Sequence, residues 1–106
     1  NIIDAFDNEA IYKAGQKLLG DEMTGVVTGL LVGGGYQTSQ YGVFYSSGCV
    51  PHACGTADAF MAIDPNRRKL FFAQNVVAAG PKYWPAIKDW PPDIAKTMRE
   101  ALSIAN

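Results

Sequence analysis

The chain has 106 residues, of which 48% are hydrophobic and 18% charged, a composition typical of one folded domain with a single core. Its formal net charge of -1 lacks the basic excess of a protein that binds nucleic acid or an anionic membrane. No apolar stretch approaches the roughly 20 residues that span a bilayer. We therefore expect neither nucleic acid nor a membrane as a partner, and we predict that residues 1–106 form a single domain.

A helix is the first regular element that the sequence predicts. Ile11 and Leu18 belong to a series of apolar residues at the helical spacing of three to four. Asp7 or Asn8 suits the N-cap of this helix, and Gly20 suits the position just after its C-terminus.

Residues 25–32 form the next apolar segment, which is rich in β-branched side chains and is followed by a run of glycines. So short an apolar run is compatible with a strand or with a buried helix, and the sequence leaves both open. Glycines recur at every fourth residue, which predicts close packing of the backbone against a neighbour. These are Gly25, Gly29 and Gly33.

The middle of the chain predicts an antiparallel meander. Residues 40–47 have the aromatic and β-branched composition of a strand, and a second strand is expected over residues 58–63. The sequence Asp-Pro-Asn-Arg at 64–67 predicts a turn, and residues 69–74 a third strand.

The C-terminal third changes character. Prolines and glycine at residues 80–92 argue against regular structure, whereas residues 93–105 resume helical periodicity, with Pro92 suited to the first turn. Trp84 and Trp90, both next to prolines, are expected to pack in the core. The fold class predicted is α+β, an antiparallel meander with its helices packed on one face.

The short segment Cys49-Val50-Pro51-His52-Ala53-Cys54 holds both cysteines and the only histidine of the chain. If the thiols are joined, the segment closes into a small ring with the histidine at its tip. The proline fixes its own φ and favours extended geometry in the residue before it, so the ring would be stiffened twice. A rigid ring suits the presentation of a side chain for binding, because preorganisation lowers the ordering cost.

The stretch Ser47–Gly55, followed by a strand and a hairpin, resembles the signature loop of the inhibitor of vertebrate lysozyme family, Ivy, which reads Cys-Lys-Pro-His-Asp-Cys. The similarity extends roughly over Tyr41–Ala73. It implies a periplasmic, disulfide-bonded bacterial protein without enzymatic activity, present here as the mature part after removal of a signal peptide. It also implies lysozyme or a related muramidase as the partner, and leaves a homodimer open.

Carried over by residue, the resemblance makes Cys49 and Cys54 a disulfide and His52 the inhibitory group that faces the two catalytic carboxylates, most readily those of a C-type lysozyme. Pro51 matches the loop proline. Val50 stands where the family has lysine, which removes a cation that would be attracted to an acidic cleft. Ala53 replaces an aspartate, so a hydrogen-bond acceptor that could orient the loop is missing. Two further residues, Tyr41 and Tyr45, are expected to lie beside the loop as an aromatic rim.

Three alternatives remain open. The chain could keep the fold without inhibiting lysozyme and bind another periplasmic partner, such as a lytic transglycosylase. Two thiols and an imidazole could instead serve thiol-disulfide redox chemistry or hold a soft metal ion, although no fourth ligand cluster is evident in the sequence. The glycine run 33–35 lacks the Lys-Ser/Thr ending of a phosphate-binding loop, so no phosphate site is expected there. No cofactor is predicted.

Overall fold

A computed structural model describes residues 1–105 as an antiparallel sheet with helices on both sides. The helices are α1 (Glu9–Leu19), α2 (Met23–Thr28) and α3 (Pro92–Leu102), and short 3-10 turns occupy Ile2–Asp7, Gly20–Glu22 and Ile87–Asp89. The strands are β1 (Val32–Gly33), β2 (Gln37–Thr38), β3 (Phe44–Cys49), β4 (Ala57–Asp64), β5 (Lys69–Val76) and β6 (Gly80–Trp84). None of the helices in the described part of the chain combines the length and apolar character that crossing a membrane requires.

The first helix begins and ends where the sequence predicted. The Asn8 side chain accepts a hydrogen bond from the Ile11 N–H, which satisfies one of the free donors of the first turn. Gly20 ends α1 with φ 53°, a left-handed conformation that glycine adopts without a steric penalty. The first half of the apolar segment at residues 25–32 forms the end of α2, residues 29–31 turn, and only the last residue enters a strand.

Strands β3, β4 and β5 form the predicted three-stranded meander, and β6 extends it, with each strand antiparallel to the next. Two predictions are corrected. The first long strand begins at Phe44 because residues 40–42 turn before it, and Ser39 N–H donates to the Val43 carbonyl across that turn. The segment Gly80–Trp84, for which the sequence argued against regular structure, forms the outer strand β6. Its proline is compatible with that position, because an edge strand tolerates a residue without an N–H.

The free edge of β3 is covered by two short strands. Val32 pairs with Cys49 at one end of β3, and Thr38 pairs with Phe44 at the other. Between these two pairings, three residues of the covering segment (34–36) lie opposite only two residues of β3 (46–47), so the covering segment is bulged. With the two short strands in place, β3 has no continuous exposed edge.

The α+β class and the antiparallel sheet are confirmed, but the helices do not all lie on one face. Along β4, Phe60 packs in a cluster with Trp90 and Met98 of the α3 side, whereas its neighbour Met61 packs with Val26 on the α1 and α2 side. Successive strand side chains point to opposite faces, so both faces of the sheet are buried. Trp90 is fully within this core and Trp84 packs against the other cluster, as predicted for the two tryptophans.

Close packing at the glycines is confirmed where α2 and β1 meet the sheet. A Cβ on Gly29 would lie 2.9 Å from the Cβ of Ala59, and one on Gly33 would lie 2.8 Å from the Ser47 carbonyl oxygen. Gly25 is less restricted, with its nearest neighbour, Gln74 Nε2, at 3.6 Å. The absence of a side chain therefore fixes how closely the segment 29–33 approaches β3 and β4.

Candidate functional site

The loop that joins β3 to β4 contains the ring suggested by the sequence. Cys49 and Cys54 form a disulfide with their Cα atoms 4.9 Å apart, within the usual range for such a bridge. Cys49 is the last residue of β3 and is buried, whereas Cys54 is exposed. The ring is therefore anchored in the sheet at one end and extends into solvent at the other.

The tip of the ring is a tight turn. The Ala53 N–H donates to the Val50 carbonyl at 2.9 Å, Pro51 occupies the second position, and His52 has φ 67°. Proline followed by a residue with positive φ is the pattern of a type II turn. Histidine is one of the few residues besides glycine that is enriched in left-handed geometry. Pro51 and His52 are both exposed, so the turn presents the imidazole to solvent.

Backbone hydrogen bonds hold the base of the loop. The Ala53 carbonyl accepts from the Thr56 N–H at 3.0 Å, from the Thr56 hydroxyl at 3.0 Å and from the Ala57 N–H at 2.9 Å. The Val50 N–H donates to the Ala57 carbonyl at 2.9 Å, which continues the pairing of β3 with β4. The conformation of the ring is therefore fixed by main-chain groups on both sides of the disulfide.

Asp58 is a site residue that the sequence reasoning missed. Its Oδ1 atom accepts a hydrogen bond from the Gly55 N–H at 2.9 Å, directly after the bridged Cys54. Gly55 has φ 90°, a conformation that favours glycine at this bend. A carboxylate five positions after Ala53 thus supports the loop from the second residue of β4, although the sequence signal for it is only an acidic residue at a predicted strand start.

The two tyrosines expected at the rim of the loop lie elsewhere. Phe44 is five strand positions, about 17 Å, from Cys49, and Tyr41 lies beyond it, where its carbonyl accepts from the Asn66 side chain. Tyr45 stacks on Phe60 and donates its hydroxyl hydrogen to Gln37. Both tyrosines line a cleft of about 340 Å³ between β3 and α3. The prediction of a tyrosine rim was wrong, because it used proximity in sequence along a strand that leads away from the loop.

Apolar side chains take the place of the tyrosines beside the loop. Val32 pairs with Cys49 on one side, and on the other the Val77 N–H donates to the Thr56 carbonyl at 3.0 Å. Leu31, Val32 and Val77 are exposed by 48%, 46% and 66%. The sequence could have indicated these residues in two ways. The hairpin turn at residues 77–79 is apolar, and the leucine at position 31 prolongs the apolar run beyond the end of α2.

A metal site is not supported by the positions of the potential ligands. Among residues 1–105 there is no group of three or more His, Cys, Asp or Glu side chains that could hold an ion. Cys49 and Cys54 are bonded to each other, so their sulfur atoms are not thiolate ligands in this state. The ring thus carries one imidazole, that of His52, on a support closed by the disulfide.

Comparison with protein families agrees with this geometry. The family model described as inhibitor of vertebrate lysozyme (Ivy) matches residues 10–103, a range that includes the ring and the whole sheet. The chain belongs to the Ivy family. Searches among curated proteins and among solved structures found no match. The Ivy family is, by its description, a family of lysozyme inhibitors.

Proposed function

We propose that this protein is a periplasmic inhibitor of lysozyme, most readily of the C type, and that it places the ring closed by Cys49 and Cys54 in the catalytic cleft. The observation that carries the proposal is His52, exposed at the tip of a turn that a proline, a disulfide and main-chain hydrogen bonds hold in place. The protein acts by occupying the cleft and has no catalytic step of its own.

The chemistry of the target matches one imidazole. Retaining glycosidases such as lysozyme carry two carboxyl groups about 5 to 5.5 Å apart. A protonated imidazole donates from both ring nitrogens and can form a charge-assisted hydrogen bond with each carboxyl group. Because His52 is the only histidine of the chain, it would supply the positive charge that neutralises the site and would exclude substrate from it.

Val50 and Ala53 depart from the family loop without removing its support. The hydrogen bonds that shape the ring are accepted by the carbonyls of Val50 and Ala53, which any residue supplies. Asp58 contributes a carboxylate to the Gly55 N–H from outside the ring. These contacts favour an inhibitory loop whose conformation survives the loss of the family aspartate, while the missing lysine weakens long-range attraction to an acidic cleft.

The test is a titration of the oxidised protein against C-type, G-type and I-type lysozymes in a cell-wall lysis assay. His52→Asn is the informative variant, since asparagine also tolerates positive φ and keeps the turn while removing the imidazole. We expect stoichiometric inhibition of the C-type enzyme and a loss of at least about 2 kcal/mol of binding free energy in the variant, as for an anchor at an interface centre.

A matched control lies at the opposite end of β4. Arg68 is exposed on the β4–β5 turn and also has positive φ, at 54°, so Arg68→Asn makes the same kind of change about 23 Å from the loop base. It should leave inhibition unchanged. Equal inhibition by the wild type and His52→Asn would remove His52 from the mechanism. Inhibition of no lysozyme would direct the search to another periplasmic partner, such as a lytic transglycosylase.

Reduction of the disulfide and measurement of mass in solution complete the test. Reduced protein should inhibit less well, because the ring would lose its preorganisation. A homodimer stays a prediction, which sedimentation or light scattering of the free protein would check.

A further inference from the structure

The end of the sheet that carries the ring is unusual in its chemistry. None of the residues 31–35, 49–56 and 77–81 is Asp, Glu, Lys or Arg, and the only group with a titratable side chain outside the disulfide is His52. Over the whole chain, by contrast, 18% of the residues are charged. Asp58, the carboxylate at the base of the loop, accepts a hydrogen bond from the Gly55 N–H.

Three of the large hydrophobic side chains exposed in the described part of the chain lie at this end. Leu31 and Val32 belong to the segment that pairs with Cys49, and Val77 belongs to the turn whose N–H binds Thr56. We call these three residues the apolar collar. They belong to two different chain segments, one on each side of the β3–β4 pair, so the base of the ring lies between two apolar segments.

We propose that the apolar collar is a second contact surface for the same muramidase that receives His52, and that this partner presents neutral apolar side chains on both sides of its carboxylate pair. The inference rests on the proposed function and adds to it the chemistry that selects the target. The collar is continuous with the surface that carries His52, because a ring that enters a cleft brings the segments flanking its base against the edges of that cleft.

The division of roles follows from the charges. His52 is the one group of this surface able to recognise carboxylates, whereas the collar has no charge and can contribute only by burying apolar area. An interface centred on one charged anchor and surrounded by apolar contacts excludes water from the anchor, and such exclusion strengthens its hydrogen bonds. The collar would therefore discriminate among muramidases that share the same catalytic carboxylates but differ at the cleft edge.

Neutral substitutions test the collar without adding charge that an acidic cleft would repel. We would measure the Kd of a C-type lysozyme for the wild type, for Val77→Ser and for the double variant Leu31→Ser with Val77→Ser. Tyr41→Ser is the matched control, because Tyr41 is 58% exposed at the other end of the sheet. We expect the double variant to bind at least about tenfold more weakly and the control to bind within about threefold of the wild type.

Two further measurements separate the outcomes. The loss in the collar variants should persist at about 500 mM NaCl, because it does not depend on charge. Val77→Ser alone, a change in an exposed turn, should retain the thermal transition of the wild type and still bind more weakly. If His52→Asn loses binding while folded collar variants bind like the wild type, the collar is not part of the interface although the proposed function holds. If the wild type binds no lysozyme, the proposed function fails and the collar proposal fails with it.

Discussion

The carboxylate of Asp58 and the backbone N–H of Gly55 are joined by a hydrogen bond of 2.9 Å that connects the start of β4 to the residue after the disulfide. Cys49, the other end of the bridge, is the register partner of Asp58 across the β3–β4 pair. The two ends of the ring are thus tied to one point of the sheet, one by strand pairing and the other by this side chain. Asp58 thus holds the residue that follows the disulfide, and it lies outside the segment that resembles the family loop.

Replacement of Asp58 by alanine should loosen the ring. We expect Asp58→Ala to lower the free energy of unfolding by about 1 kcal/mol and to weaken lysozyme binding, because the loop would have to be ordered on binding. Asp58→Asn keeps an oxygen acceptor and should lie between the alanine variant and the wild type in both measurements. Urea unfolding and titration calorimetry would measure the two effects, and equal affinities for all three proteins would show that Asp58 does not position the ring.

The packing of α2 on the sheet predicts different effects on stability for alanine at two glycines of the same segment. Gly29→Ala would place a methyl group 2.9 Å from the Ala59 Cβ in a fully buried contact, and overpacking of this kind costs about 1 to 3 kcal/mol. Gly25→Ala is the matched control, since its nearest atom is the end of the Gln74 side chain at 3.6 Å and the position is exposed. There the change should be neutral or stabilise α2 by up to about 1 kcal/mol. Thermal unfolding of both variants measures this, and similar melting temperatures would contradict the packing of α2 against β4.

The hairpin turn after β4 should make stability depend on pH at the acidic end. Asp64 is 1% exposed, and its Oδ1 accepts from the Asn66 and Arg67 N–H groups at 3.1 and 3.2 Å. Burial by itself raises the pKa of Asp64, but hydrogen bonds from the Arg67 side chain and backbone, together with the positive charge of Arg67, hold that pKa below its usual value of 3.8. The ionised form is therefore favoured by folding.

Because the folded pKa of Asp64 is the lower one, its contribution to stability is present above the unfolded pKa, near 3.8, and is lost as pH falls through the folded pKa. Asp64→Asn keeps an acceptor for the turn but removes the titrating charge. We expect the wild type to exceed this variant by about 1 kcal/mol at neutral pH, a modest value because the Arg67 side chain is 47% exposed. Urea unfolding at about pH 7, 5 and 3 should show the difference shrinking at the lowest pH. A constant difference would mean that the carboxylate does not titrate with folding.

Local signals in the sequence were sufficient for the elements that local physics controls. The Asn8 cap and Gly20 fixed the ends of α1, because both act through hydrogen bonds and φ preferences within a few residues. The turn at residues 64–67 and the strands on either side followed from proline, asparagine and β-branched or aromatic runs in the same way. The α+β class then followed from the order of these elements.

The errors share one physical cause, which is that spatial neighbours across strands are distant in sequence. Tyr41 precedes the loop by eight residues yet lies at the far end of the sheet. Leu31 and Val77 are more distant from the loop in sequence, one before it and one after it, but they lie beside it in the structure. Residues 80–84 became β6 despite their glycine and proline because the outer edge of β5 was free to pair with them.

The sequence by itself determined the ring: two cysteines, a proline and a histidine within six positions specify a short stiff loop, and its resemblance to one family is a property of those residues alone. The tertiary structure decided what surrounds the ring. Strand pairing brought Asp58 under the ring and the apolar collar to its two sides, and it directed the tyrosines toward α3. Register and the alternation of side chains between two buried faces make these choices, and both depend on which strands pair, which no short segment of the sequence contains.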